Sequence, residues 1–154
     1  MCIRDRHKKI AVAATSMWKQ NLDFVDVDLI NQEWKTYLDS RRNGNYEMAR
    51  ARWCGDYNEA STFLNLRKST NSNNNARYKN PEYDAIMDKT VLAGTTDADR
   101  KALYEQAEAL LDKDTAHSNM FYYANVRLVK PHVQGYSNKD PLDNWQAKYW
   151  SVAK

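Results

Sequence analysis

The spacing of the apolar residues switches period repeatedly within the first fifty or so positions, and that switching constrains the fold more than any other feature of the chain. From His7 to Asn21, Ile10, Ala14, Met17 and Trp18 fall at i, i+4, i+7 and i+8. That spacing lines one face of a helix with 3.6 residues per turn. Phe24 to Ile30 then places apolar residues around Asp26 and Asp28, which predicts a strand. Asn31 has the side chain of an N-cap, and a second helix is expected from about Gln32 to Arg42 with Trp34, Tyr37 and Leu38 on one face. Asn43-Gly44 ends it, because glycine tolerates the left-handed conformation that closes a helix. Tyr46 to Trp53 alternates again as a strand. Helix, strand, helix, strand predicts an α/β layer with a largely parallel sheet. Ligands of such sheets sit just beyond the carboxyl ends of strands. Trp53-Cys54-Gly55-Asp56-Tyr57-Asn58, an acidic residue flanked by aromatics, occupies that place.

A short helix follows over about Glu59 to Leu66, and the polar, Asn-rich stretch Arg67 to Asn80 reads as a loop. Pro81 stands where proline favours the first helical turn, opening a helix to about Leu92. Thr96-Asp97 caps a longer helix from about Ala98 to Leu111, with Leu103, Ala107, Ala109 and Leu110 as its apolar face. Asn119 to Ala124, Val126 to Val129 and Trp145 to Val152 are expected as strands, interrupted by Pro131 and Gly135. No internal repeat is visible.

Composition narrows the function classes. With 42% apolar and 28% charged residues in 154, the balance is that of a globular chain with a core. A net charge of +3 from 23 basic and 20 acidic side chains, evenly mixed, argues against a nucleic-acid partner. His7, His117 and His132 are scattered, and neither Cys54 nor Ser118 sits in a nucleophile motif, so no enzyme activity is expected. No His, Cys or carboxylate cluster has metal-ligand spacing, and no cofactor is called for. Five Trp and ten Tyr suit a cleft or an interface as well as a core. No stretch reads as a signal peptide. Met1 to Arg6 fits nothing that follows and is read as a non-native leader resembling sequencing read-through.

Four stretches carry a resemblance. They are Asn31-Gln32-Glu33-Trp34-Lys35, Ala49 to Glu59 (Ala-Arg-Ala-Arg-Trp-Cys-Gly-Asp-Tyr-Asn-Glu), Asn125 to Pro131 (Asn-Val-Arg-Leu-Val-Lys-Pro) and Gly135 to Asn144 (Gly-Tyr-Ser-Asn-Lys-Asp-Pro-Leu-Asp-Asn). In their order and spacing the chain resembles the oligopeptide-binding proteins of the family-5 solute-binding group, from His7 to Lys154. The resemblance implies an α/β fold: a partial periplasmic-binding-protein-type lobe, class II-like, with a mixed sheet flanked by helices and the amino-terminal lobe missing. It divides the chain into 1–6 as leader, 7–130 as a partial peptide-binding lobe, and 131–154 as a segment returning toward the missing lobe. It implies the substrate-binding subunit of an ABC importer, periplasmic in a Gram-negative bacterium, with short peptides and membrane permease subunits as partners. A relative binding murein peptide, dipeptide or another small solute is the alternative.

A receptor for varied peptides must hold an α-ammonium, an α-carboxylate and a backbone, and leave roomy pockets for side chains. By the resemblance Asp56 pairs with the peptide amino terminus. Arg50 faces the carboxylate, and Arg41 and His7 serve peptides of other lengths. Trp34, Leu38 and Trp53 line pockets, and the backbone of Arg52, Trp53 and Cys54 pairs with the ligand main chain. Arg52 departs from the family, which usually has Gly there, and Ala60 and Asn119 stand where proline is common.

Overall fold

The structure, a computed structural model, describes residues 3–153, and the backbone alone for residues 3–6. The chain divides into two compact units, Met1–Ser40 and Arg41–Lys154.

In the first unit the helix α1 runs Ile3–Asn21. The expected leader thus falls partly on Met1 and Cys2, outside the described residues, and partly on the first turn of α1. The face expected from the period is present: Ala14 is buried and Ile10 and Trp18 are half-buried, whereas Met17 is exposed. The second helix, α2, runs Trp34–Asn43, and the boundary between the units falls inside it. It starts later than its Asn31 signal predicted. The Glu33 carboxylate accepts from the Lys35 amide at 2.7 Å, so Glu33 satisfies the first turn in place of Asn31. Gly44 ends α2 with φ +75° as expected, and an added Cβ would lie 2.7 Å from the Arg77 guanidinium carbon.

The core of the second unit is helical. It is made by α3 (Ser61–Leu64, extended by a 3₁₀ turn Asn65–Arg67), α4 (Pro81–Lys89) and α5 (Asp97–Lys113). Leu64, Tyr83, Ile86, Met87, Ala107 and Leu111 form one buried cluster. Both long helices are capped by their own sequence. The Asn80 side chain accepts from the Glu82 and Tyr83 amides, and Thr96 with Asp99 forms a reciprocal capping box. Leu111, one residue beyond the expected face, is buried, and Ala109 is exposed. The Tyr83 hydroxyl donates to the Leu64 carbonyl at 2.7 Å, satisfying the polar atom of a fully buried ring.

The sheet departs from expectation. Among the described residues the one ladder is antiparallel and two residues long, with β1 (Val133–Gln134) against β2 (Ser151–Val152) in the register Val133 opposite Val152. Gly135 makes this pairing possible, since a Cβ there would come within 2.1 Å of the Tyr149 carbonyl oxygen. Within the predicted Trp145 to Val152 strand, Ala147–Tyr149 is a 3₁₀ turn. The segments 24–30, 46–53, 119–124 and 126–129 form no ladder, and the described residues contain no largely parallel sheet. The physical reason is that a strand is defined by its neighbour: an alternating segment supplies one row of donors and acceptors, and the second row must come from elsewhere. What remains is a set of helices with a small sheet.

Candidate functional site

The candidate site lies where the irregular segment 50–60, bent from Asp56 onward, leads into α3. The Asp56 amide donates to the Thr62 hydroxyl oxygen at 2.9 Å, and Thr62 is itself buried in α3. Gly55 sits close against α3: a Cβ there would lie 3.3 Å from both Thr62 Cγ2 and Phe63 Cζ. The loop is therefore pinned, while the Asp56 carboxylate is exposed and has no hydrogen-bond or ion-pair partner among the described residues. A cavity of about 210 Å³ opens beside it, bounded by Trp53, Asp56, Tyr57, Ser61, Thr62 and Asn65. Such a surface offers one negative charge, aromatic faces, hydroxyls and the carboxamides of Asn65, Asn71 and Asn73. It suits an ammonium group carried on a small polar body.

Behind Asp56 is a network that sequence reasoning missed. Glu59 Oε2 accepts from the Ser61 amide at 3.0 Å and from the Ser61 hydroxyl, and its Oε1 accepts from the Tyr104 hydroxyl of α5. Ser61 and Tyr57 share a hydroxyl hydrogen bond of 2.8 Å. Desolvation pushes the Glu59 carboxyl upward, but the Ser61 hydroxyl, Tyr104 and the Ser61 amide, with Arg100 nearby, together hold it below its ordinary value. For Tyr104, burial and the bond to Glu59 push the phenol upward. The Glu59-x-Ser61 spacing at a helix start was a legible signal of a local cap. A partner 45 residues away in α5 was not legible.

The other predicted site residues separate by unit. His7 lies half-buried on α1, and Trp34 and Leu38 lie on α2, where the Trp34 ring packs 5.5 Å from that of Tyr37. In the second unit Trp53 and Asp56 line the same cavity. Arg50 is exposed, and Cys54 is an exposed free thiol. Arg41 is half-buried within the field of Arg67, whose own guanidinium is shifted downward by burial and by that like charge. The Arg52 guanidinium lies over the Tyr123 ring at 5.1 Å.

A second cavity, of about 570 Å³, is formed by Arg127, Val129, Val133, Tyr136, Trp145 and Trp150 near the small ladder. There the Trp145 and Trp150 rings stack at 5.1 Å, and Arg127 is paired with Asp143. Among the described residues no group of His, Cys, Asp and Glu could hold a metal ion, and no helix is long and apolar enough to cross a membrane.

Comparison with known proteins defines the class. The solved structure of the Haemophilus influenzae OppA complex with RPPGFSPFR superposes with a TM-score of 0.87 at 51% identity, covering 97% of this chain and 29% of that one. The Escherichia coli murein tripeptide binding protein MppA gives 0.86 at 45% identity, over 96% of this chain and 29% of that one. The fold is thus that of a segment of periplasmic-type solute-binding proteins, about 29% of each of these two. Residues 4–75 match the family described as "Bacterial extracellular solute-binding proteins, family 5 Middle", and 150 residues are 53% identical to "Periplasmic oligopeptide-binding protein OppA" of Escherichia coli (strain K12). In sequence and in fold the chain is similar to the family-5 bacterial extracellular solute-binding proteins. It spans 97% of itself in that match but about 27% of the length of the curated relative.

Proposed function

We propose that this chain forms part of the substrate-binding subunit of a periplasmic ABC importer and captures short peptides by their free termini and backbone. The observation that carries the reading is Asp56. Its backbone is anchored to α3, its carboxylate is exposed, and a cavity with aromatic and hydroxyl walls adjoins it. A carboxylate so presented answers a peptide α-ammonium through a charge-assisted hydrogen bond. In this reading the extended backbone of Arg52, Trp53 and Cys54 pairs with the ligand main chain, and Trp34, Leu38 and Trp53 line side-chain pockets. Arg50, with Arg41 and His7 for other peptide lengths, meets the carboxylate. Residues 7–130 contribute to the peptide-binding lobe, and 131–154 return toward a second lobe. Membrane permease subunits receive the loaded protein. No step of this function requires a catalytic group or a cofactor.

The test is Asp56→Asn in the full-length protein, titrated with a tripeptide by calorimetry. Removing one partner of a desolvated charge pair costs about 2–5 kcal/mol, a loss of roughly thirty-fold to several thousand-fold in affinity. Parental affinity in the variant overturns the assignment. A murein-peptide receptor is the second reading, favoured by the 45% identity to the murein tripeptide binding protein. Titration of the parent with murein tripeptide beside an unrelated tripeptide separates the two.

A further inference from the structure

The loop that carries Asp56 is tied at two points. Thr62 holds the Asp56 amide, and three residues later Glu59 gathers donors from α3 and from α5 at once. Ser61 is shared between these ties: its amide and hydroxyl serve Glu59, and its oxygen also meets the Tyr57 hydroxyl at the cavity wall. Tyr104, the far anchor, packs with its ring against the buried helical cluster. A continuous hydrogen-bonded path therefore runs from the core of α4 and α5, through Tyr104 and Glu59, to Ser61 and Tyr57 in the cavity wall. A binding carboxylate gains when its supports are fixed before the ligand arrives, because less freedom is lost on binding.

We propose that Glu59 and Tyr104 are positioning residues for recognition of the ligand's ammonium: through Ser61 and Tyr57 they hold the Asp56 loop in one arrangement against α5. The proposal rests on the assignment of Asp56 above. It uses no contact between Glu59 or Tyr104 and the ligand. Their effect is therefore expected on the discrimination between a charged and an uncharged amino terminus, beyond any effect on affinity in general.

The experiment compares the full-length parent with Tyr104→Phe, Glu59→Gln and Glu59→Ala. For each, the dissociation constant is measured for one tripeptide with a free amino terminus and for its N-acetylated form, and a thermal melt is recorded. Phe keeps the ring in the core and deletes the hydrogen bond to Glu59. The expected result is a melt close to the parent and a free-to-acetylated preference reduced roughly ten-fold, the worth of about one hydrogen bond. Glu59→Gln, which keeps an acceptor oxygen, retains more of that preference than Glu59→Ala. A parent that does not discriminate between the two peptides overturns the Asp56 assignment, and the proposal with it. A parent that discriminates, with Tyr104→Phe keeping the ratio within about two-fold, overturns the positioning role alone. Equal losses for both peptides also overturn it, since they mark a general structural effect.

Discussion

The helices of residues 61–113 and the largely irregular chain of residues 118–153 belong to the same unit, yet they are held in opposite ways. The first region closes its backbone bonds within each helix and buries Tyr83, Met87 and Ala107 to 1% exposure or less. In the second, Tyr122, Val126 and Leu128 are almost wholly exposed, and the ladder is two residues long. Both regions are rich in apolar and aromatic side chains, so hydrophobic content does not separate them. The difference is where the partners lie in sequence. A helix finds its hydrogen-bond partners four residues away, and a strand finds them on another strand. Among the described residues the first kind of partner is present throughout α4 and α5, and the second only between β1 and β2.

The largest expected effect tests this contrast directly. Met87→Ala removes a side chain that is 1% exposed and should cost the helical region about 2–5 kcal/mol, read by chemical denaturation followed by circular dichroism. Leu128→Ala, at a side chain 98% exposed, should stay within about 0.5 kcal/mol. Equal costs would mean that Leu128 is packed as tightly as Met87. Next in size, Thr96→Ala deletes the capping box of α5 and should cost about 1 kcal/mol in the same measurement. No loss would show that tertiary packing alone fixes the start of α5.

A smaller effect follows from pH. The folded Glu59 carboxyl lies below its ordinary 4.5, so the ionised form is stabilised by folding. That contribution is fully present above 4.5 and is lost as pH falls through the folded value. The denaturation midpoint of the helical region should drop on acidification below about 4.5, and Glu59→Gln should flatten that slope. The smallest effect concerns the strongest tie in the irregular region. Asp143 meets both terminal guanidinium nitrogens of Arg127 and the side-chain amide of Asn125, but on an exposed surface. Asp143→Asn should shift the thermal midpoint less than Thr96→Ala does. A larger shift would place residues 125–145 in the same cooperative unit as the helices.

Much of this was readable in advance. Pro81, the Thr96 cap and the 3.6-residue spacing marked α4 and α5 to within a few residues, because helix signals are local. Gly44 was legible for the same reason, since its φ of +75° is a property of one residue. The alternating segments were misleading as sheet, since none of 24–30, 46–53, 119–124 and 126–129 joins a ladder. Nothing in Phe24 to Ile30 or Asn119 to Ala124 says whether a neighbouring strand is present.

The candidate site shows the same division. Sequence by itself singled out Asp56, flanked by aromatics at the end of an extended run, and the resemblance supplied its role. The tertiary structure decided what stands behind it: Thr62 on the Asp56 amide, Glu59 between Ser61 and Tyr104, and Arg52 lying over Tyr123. These partners are 6, 45 and 71 positions apart in sequence, counting Asp56 to Thr62, Glu59 to Tyr104 and Arg52 to Tyr123. Local pattern fixes the backbone conformation near a residue, because only neighbours within a few positions can clash or bond through it. Which distant side chain meets it is settled by how the helices pack.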